Sequence, residues 1–295
     1  GGWPQFWPGP RGYQIHITFN DDAIVNTLNM IRDMMNYKAP YEDDLIDKAL
    51  CVRLEKAFNK GIECILATQI IKDGEPSVWC QQNDRETLKP APARAYELPS
   101  YCSAESAGIV RLLMELPAPD ARVKRAVHGA MKWFDRYKLT GLKCERIVLA
   151  NGERDTRLVE DPQAKPIWAR YYDLKYCEPY VCDRDGLPRR HLEEIGTERR
   201  NGYSWYNGRP AELFAIYNAW ADKYDPKHKV AISLATKGAN ENGLIEMYRR
   251  PMAERTAFDV VVKPGESIQA AIEKAPEIPT EPFKILLLNG TYHQK

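Results

Sequence analysis

Apolar residues recur every three or four positions in five stretches of the chain, and each stretch predicts an amphipathic helix. Ile24, Leu28, Ile31 and Met35 follow Asn20-Asp21-Asp22 and give one apolar face. Ile46, Leu50, Leu54 and Phe58 form a second stripe, broken near Gly61 and resumed at Ile65 and Leu66. "SAESAGIVRLLMEL" sets Ile109, Leu112, Leu113 and Leu116 behind Ser103 and Ser106, a capping-box pattern. "DARVKRAVHGAMKWFDRYK" repeats the spacing through Val123, Val127, Ala130 and Phe134, and "PAELFAIYNAWADKY" ends a fifth helix near Tyr224. The intervening "PSVWCQQ", "RIVLAN" and "PIWARYYDL" read as short strands, while glycine, proline and aromatics keep the first twenty residues out of a helix. Residues 225–256 lack periodicity. Beyond them "FDVVVKPGESIQAAIEKAPE" and "FKILLLNGTYHQK" predict strand, turn, short helix and strand. The expected organisation is a helical unit over 1–224, a linker over 225–256 and the start of a second unit over 257–295.

Composition narrows the function. At net charge +1 with no basic stripe, the chain does not look like a nucleic-acid protein, so an anionic ligand would need a few placed cations or a metal. Its apolar runs are too short to cross a bilayer, and no leader of the signal-peptide kind opens the chain. Seven cysteines make no C-x-x-C pair, which argues against zinc; they read as core thiols with one or two unassignable disulfides among them. The 16 tyrosines and 7 tryptophans suit a groove that stacks on sugar rings, with core packing the plainer alternative.

Four clusters hold candidate chemistry. In "HITFNDDA", Asp21 and Asp22 are either helix-capping acids or ligands of a hard cation such as calcium. In "LKPAPARAYELPS", Arg94 lies on backbone stiffened by Pro90, Pro92 and Pro99, either as a surface ion pair with Glu86 or Glu97 or as an aimed functional cation. In "PIWARYYDL", Trp168, Arg170 and Tyr172 alternate onto one strand face, with Arg170 in a buried pair or on a ligand. "CDRDGLP" reads locally as a turn with self-paired charges around Arg184. His16, His128 and His191 show no triad spacing.

Seven motifs in order, "PQFWP", "GYQIHITFNDDA", "VWCQQNDRETLKPAPARAYELPS", "AESAGIVRLLM", "WARYYDL", "CDRDG" and "ERRNGYSWY", resemble the pectate lyases of polysaccharide lyase family ten over residues 1–224. From Phe258, "DVVV", "SIQAAIEKAP" and "ILLLNGTYHQK" resemble the opening of a pectin methylesterase fused to the lyase. The resemblance implies a mainly α, α/α toroid-like fold with the beginning of a right-handed parallel β-helix at the C-terminus. It implies a secreted enzyme that cleaves polygalacturonate in pectin by calcium-assisted β-elimination, giving 4,5-unsaturated oligogalacturonides. By motif, Arg94 would be the base, Asp21 a calcium ligand with Asp22 beside it, and Arg184 the holder of a uronate carboxylate. Arg170 and Asn20 would also contact substrate. The family carries an earlier Asp-Asn pair on a preceding helix, so this chain is expected to lack part of the toroid and of the metal site. Two other functions are weighed. A galacturonan hydrolase would draw two carboxylates from Asp21, Asp22, Asp84 and Glu97, and a non-catalytic pectin-binding fragment would need neither.

Overall fold

Helix α1 (Ala23–Met35) turns Ile24, Val25, Leu28 and Ile31 inward and packs on α2 (Lys48–Thr68). These are seen in a computed structural model that describes residues 1–42, 46–235, 260–274 and 285–287. Asp47 caps α2 by accepting the Leu50 N–H at 2.6 Å. The helix does not break at Gly61, where the sequence suggests an interruption. There α1 and α2 approach so closely that a Cβ would lie 2.5 Å from Leu28 Cδ2, so the glycine is a packing requirement.

The almost wholly buried α3 (Ser103–Met114) is the central helix. It is packed by α1, by α4 (Ala121–Tyr137) and, past the short α5 (Thr197–Gly202), by α6 (Ala211–Tyr224). No capping box forms at its start. The N-cap is Cys102; Ser103 Oγ donates to Ala169 O at 2.6 Å and Ser106 Oγ accepts the Trp79 N–H at 2.9 Å. Both serines are fully buried, and their hydroxyls satisfy distant backbone groups that water cannot reach.

Short strands fill the space between helices. β1 (Ile17–Thr18) pairs antiparallel with β4 (Gln82–Asn83), and β2 (Ile71–Lys72) with β3 (Glu75–Pro76). β5 (Ser100–Cys102), β9 (Tyr171–Asp173), β10 (Pro179–Cys182) and β11 (Pro188–Arg189) form an antiparallel sheet in the order β11-β10-β9-β5. β6 (Leu142–Val148) and β7 (Arg154–Glu160) make a long hairpin, and β8 (Trp168–Ala169) pairs with β12 (Tyr206–Asn207). The expectation of a mainly α toroid is therefore corrected: about 41% of the described residues are helix and 18% strand, in small sheets only. Buried loop backbone must hydrogen-bond somewhere, and tyrosine-rich segments such as 171–180 do so as short strands.

The expected β-helix is also overturned. β13 (Val260–Val262) and β14 (Ile285–Leu287) pair in parallel, and α7 (Ile268–Ile272), capped by Ser267, lies between them in sequence; no β-helix coil occurs among the described residues. Helical spacing of Ile268, Ala271 and Ile272 makes that connection a helix rather than a strand. Of the stretch read as a linker, residues 229–235 run against the body. Tyr217 Oη accepts the Val230 N–H at 2.8 Å and Lys138 Nζ donates to Ser233 O at 2.7 Å. Residues 236–256 lie outside the described residues. All seven cysteines are unpaired, so none of the disulfides the sequence left open forms, and burial pushes Cys80 to about 11 and Cys177 and Cys182 to about 12.

Candidate active site

The proline-stiffened loop folds into a tight turn at Arg94–Glu97, with the Ala93 N–H on Glu97 O at 3.0 Å and the Glu97 N–H on Arg94 O at 2.7 Å. That turn brings the Arg94 side chain onto the carboxylate three residues later. Nε donates to Glu97 Oε2 at 2.7 Å and Nη2 to Oε1 at 2.5 Å. Of the two partners the sequence offers, Glu97 is taken; Glu86 lies 3.7 Å from Arg85 instead. The pair is lopsided in burial, 43% exposed for Arg94 and 1% for Glu97. Its hydrogen bond to Glu97 raises the Arg94 pKa further above its ordinary value. Burial alone would raise that of Glu97, but hydrogen bonds from Arg94 and Tyr203 bring it below the usual carboxylate range.

Around this turn stand two tyrosine rings, Tyr96 and Tyr203, packed edge to face at 5.2 Å. Over Tyr96 lie the guanidiniums of Arg199 at 4.5 Å, Arg94 at 4.9 Å and Arg184 at 6.0 Å. Over Tyr203 lie Arg170 at 4.7 Å and Arg94 at 5.7 Å. Arginines up to 105 residues apart in sequence thus share one aromatic pillar, each guanidinium on the electron-rich face of a ring. The "CDRDG" turn joins it because Gly186, at φ +75°, seats against the Arg94 turn; a Cβ there would lie 3.3 Å from Ala95 O. Arg184 remains exposed and pairs with Glu198 through two bonds of 3.1 Å. Arg199 binds the same carboxylate, and bonds from Arg199 and Arg184 lower the Glu198 pKa to about 2.

Arg170 is placed differently. Trp168 and Tyr172 face α4, but the ladder breaks at Arg170, whose Nη2 donates to Asn20 Oδ1 at 2.9 Å and to Glu105 Oε1. The expected single strand face is therefore not formed, because β8 and β9 belong to different sheets. Burial opposes the Arg170 charge, yet the Glu105 carboxylate together with Tyr171, Tyr203 and Cys102 outweighs it and raises its pKa.

Asp21 and Asp22 both adopt left-handed backbone, φ 52° and 59°, which is strained for a residue with a Cβ and recurs at functional sites. Neither caps α1. Asp22 Oδ2 accepts from Arg209 at 2.6 Å, and its buried Oδ1 has no hydrogen-bond partner. Among the described residues Asp21, 79% exposed, meets only Asn20 Nδ2 at 3.3 Å and Arg170 at 3.7 Å. Among the described residues no three His, Cys, Asp or Glu side chains gather into a metal cluster. The oxygens that remain, the open Asp21 carboxylate and the orphaned Asp22 Oδ1, are hard donors that fit calcium as part of its shell.

Glu105, Arg199 and the Tyr96–Tyr203 pair are the site residues that the sequence left without a role; Glu97 entered it only as a partner of Arg94 or a hydrolase acid. Their one signal was membership of the motifs "ARAYE", "AES" and "ERRNGY".

The pectic acid lyase family model matches residues 1–214. Among solved structures the chain is similar to the family 10 polysaccharide lyase from Cellvibrio cellulosa, with a TM-score of 0.67 and 31% identity over 74% of this chain. A mutant of that lyase in complex with trigalaturonic acid matches with a TM-score of 0.66 and 31% identity over 73% of this chain. The chain spans 66% of the length of both. No curated protein matches it. With the family model covering residues 1–214 of 295, the chain belongs to the pectic acid lyase family.

Proposed function

We propose that this chain cleaves polygalacturonate by β-elimination, with Arg94 as base and calcium as cofactor. The observation that supports this most is the gathering of Arg94, Arg170 and Arg184 on Tyr96 and Tyr203 in a chain of this family. A polyuronate offers a carboxylate on every sugar, and planar guanidiniums are the side chains best matched to carboxylates. Arg184, whose present partner Glu198 is itself exposed, exchanges that partner for a uronate carboxylate. Arg170 and Asn20, already bonded to each other, contact substrate beside Asp21. Asp21, with Oδ1 of Asp22, would hold calcium, which would draw charge from the uronate carboxylate and acidify the proton at C5. Arg94, as the neutral guanidine, accepts that proton. The C5–H electron pair becomes the C4=C5 double bond, the C4–O bond breaks toward oxygen, and the departing oxygen takes a proton from water. Because Glu97 favours the charged form of Arg94, the rate should rise with pH.

A hydrolase needs one carboxylic acid kept protonated by a raised pKa. Glu97 and Asp84, two of the candidate acids, are instead held low by hydrogen bonds, which disfavours that reading. Incubation with polygalacturonate and calcium should produce ultraviolet-absorbing unsaturated ends, lost on chelation and restored by calcium. Retarded migration in a polygalacturonate gel without any such product would make the chain a binding module instead. The motifs of residues 257–295 support a pectin methylesterase unit following the lyase across 225–256, in a secreted protein; methanol release from methylated pectin by the full-length protein tests it.

A further inference from the structure

An arginine that serves as a base needs its guanidinium aimed, and Arg94 sits beside an anion that also opposes its deprotonation. Glu97 is enclosed, and each of its oxygens accepts twice. Oε2 takes the Arg94 backbone N–H at 3.1 Å and Nε, and Oε1 takes Nη2 and the Tyr203 hydroxyl at 2.7 Å. Since Tyr203 donates to Glu97, its oxygen accepts from Tyr171, 2.5 Å away, so the carboxylate ends a chain of hydroxyls rooted in β9. No described residue bonds to Arg94 Nη1. We propose that Glu97 is the positioning residue of Arg94: its buried carboxylate, anchored by Tyr203, clamps the Nε–Nη2 edge and leaves the Nη1 edge to meet substrate.

The inference rests on the proposed lyase reading and deepens it. Such a clamp has two opposed consequences. It fixes the direction of approach, where a misplacement of about 1 Å costs on the order of 10²-fold in rate. It also holds Arg94 protonated, while Arg199 and Arg184 on the Tyr96 ring and Arg170 on the Tyr203 ring push the other way. Tyr96, Tyr203 and Tyr171, and the Glu198 carboxylate that bonds both Arg184 and Arg199, are the other titratable groups of this cluster. Removing the Glu97 charge should therefore lower the maximal rate and yet move the rising alkaline limb of the pH profile to lower pH. A residue that merely supports the fold would not do both.

The test compares Glu97→Gln, Glu97→Asp and Tyr203→Phe with the full chain. In Glu97→Gln, kcat should fall by about 10²-fold with KM within about threefold, and the limb should move to lower pH. Glu97→Asp, which keeps the charge, should return the limb to its original place, and Tyr203→Phe should lower kcat less than Glu97→Gln. Independently of turnover, the slowly exchanging Arg94 Nε–H resonance should vanish in Glu97→Gln and persist in Glu97→Asp. Wild-type kcat in Glu97→Gln, an unmoved limb, or an Nε–H that is unprotected in the parent chain would each overturn the inference. A parent chain with that protected proton but no unsaturated product would sink the lyase reading and leave the clamp standing.

Discussion

Arg94 and Arg170 both pair with a buried glutamate and lie over Tyr203, yet they sit in regions built on opposite terms. The Arg94 turn is local: its partner is three residues away and 43% of its side chain stays open to solvent. The Arg170 junction is a tertiary knot, tying Asn20, 150 residues earlier, to Glu105 at the start of α3, with 10% of its side chain exposed. A guanidinium with a free edge can meet a substrate atom. One with a buried edge holds the surrounding structure in register. The sequence offered each as either an ion-paired or a ligand-facing arginine, and the difference in burial separates them.

The sharpest way to break that comparison is Arg94→Lys. Turnover should fall by about 10²–10⁴-fold, the usual worth of a placed general base, because lysine keeps the charge and loses the fork. The melting temperature should hardly move. Retention of more than about a tenth of the rate, under ~1.4 kcal/mol of barrier, would remove Arg94 from the chemical step.

Arg170→Met should lower stability as well as remove the proposed substrate contact. It strands the buried Glu105 carboxylate, and losing one partner of a buried pair costs on the order of 3 kcal/mol, read as a lower urea midpoint. A midpoint equal to that of the parent would show that Arg170 is no structural knot.

The smallest effect is expected from Arg184→Ala. Its pair with Glu198 is exposed on both sides, so stability should stay within about 1 kcal/mol while KM for polygalacturonate rises about fivefold. An unchanged KM with a collapsed kcat would move Arg184 from binding into the chemical step.

How legible all this was in the sequence varies with the range of the interaction. The helices 23–35, 48–68, 103–114, 121–137 and 211–224 follow from apolar periodicity, because each buries one face whatever its neighbour. Glu97 stood in the sequence as an alternative partner of Arg94, since a turn brings residues three apart together. Glu105 was invisible as the partner of Arg170, and so were the Tyr203 hydroxyl on Glu97 and Arg199 on Tyr96. Nothing in local spacing records a contact across 65 or 106 residues.

By itself, then, the chain's sequence determined where helices run, where the stiff loop lies and which motifs carry arginine. Only the tertiary structure decided that loop segments become small antiparallel sheets, that Asp22 turns to Arg209 rather than capping α1, and that four arginines share two rings. Local steric and hydrophobic preferences act within a few residues and can be read along the chain. Burial, strand pairing and charge pairing depend on which distant segments meet, and only the folded chain brings those segments together.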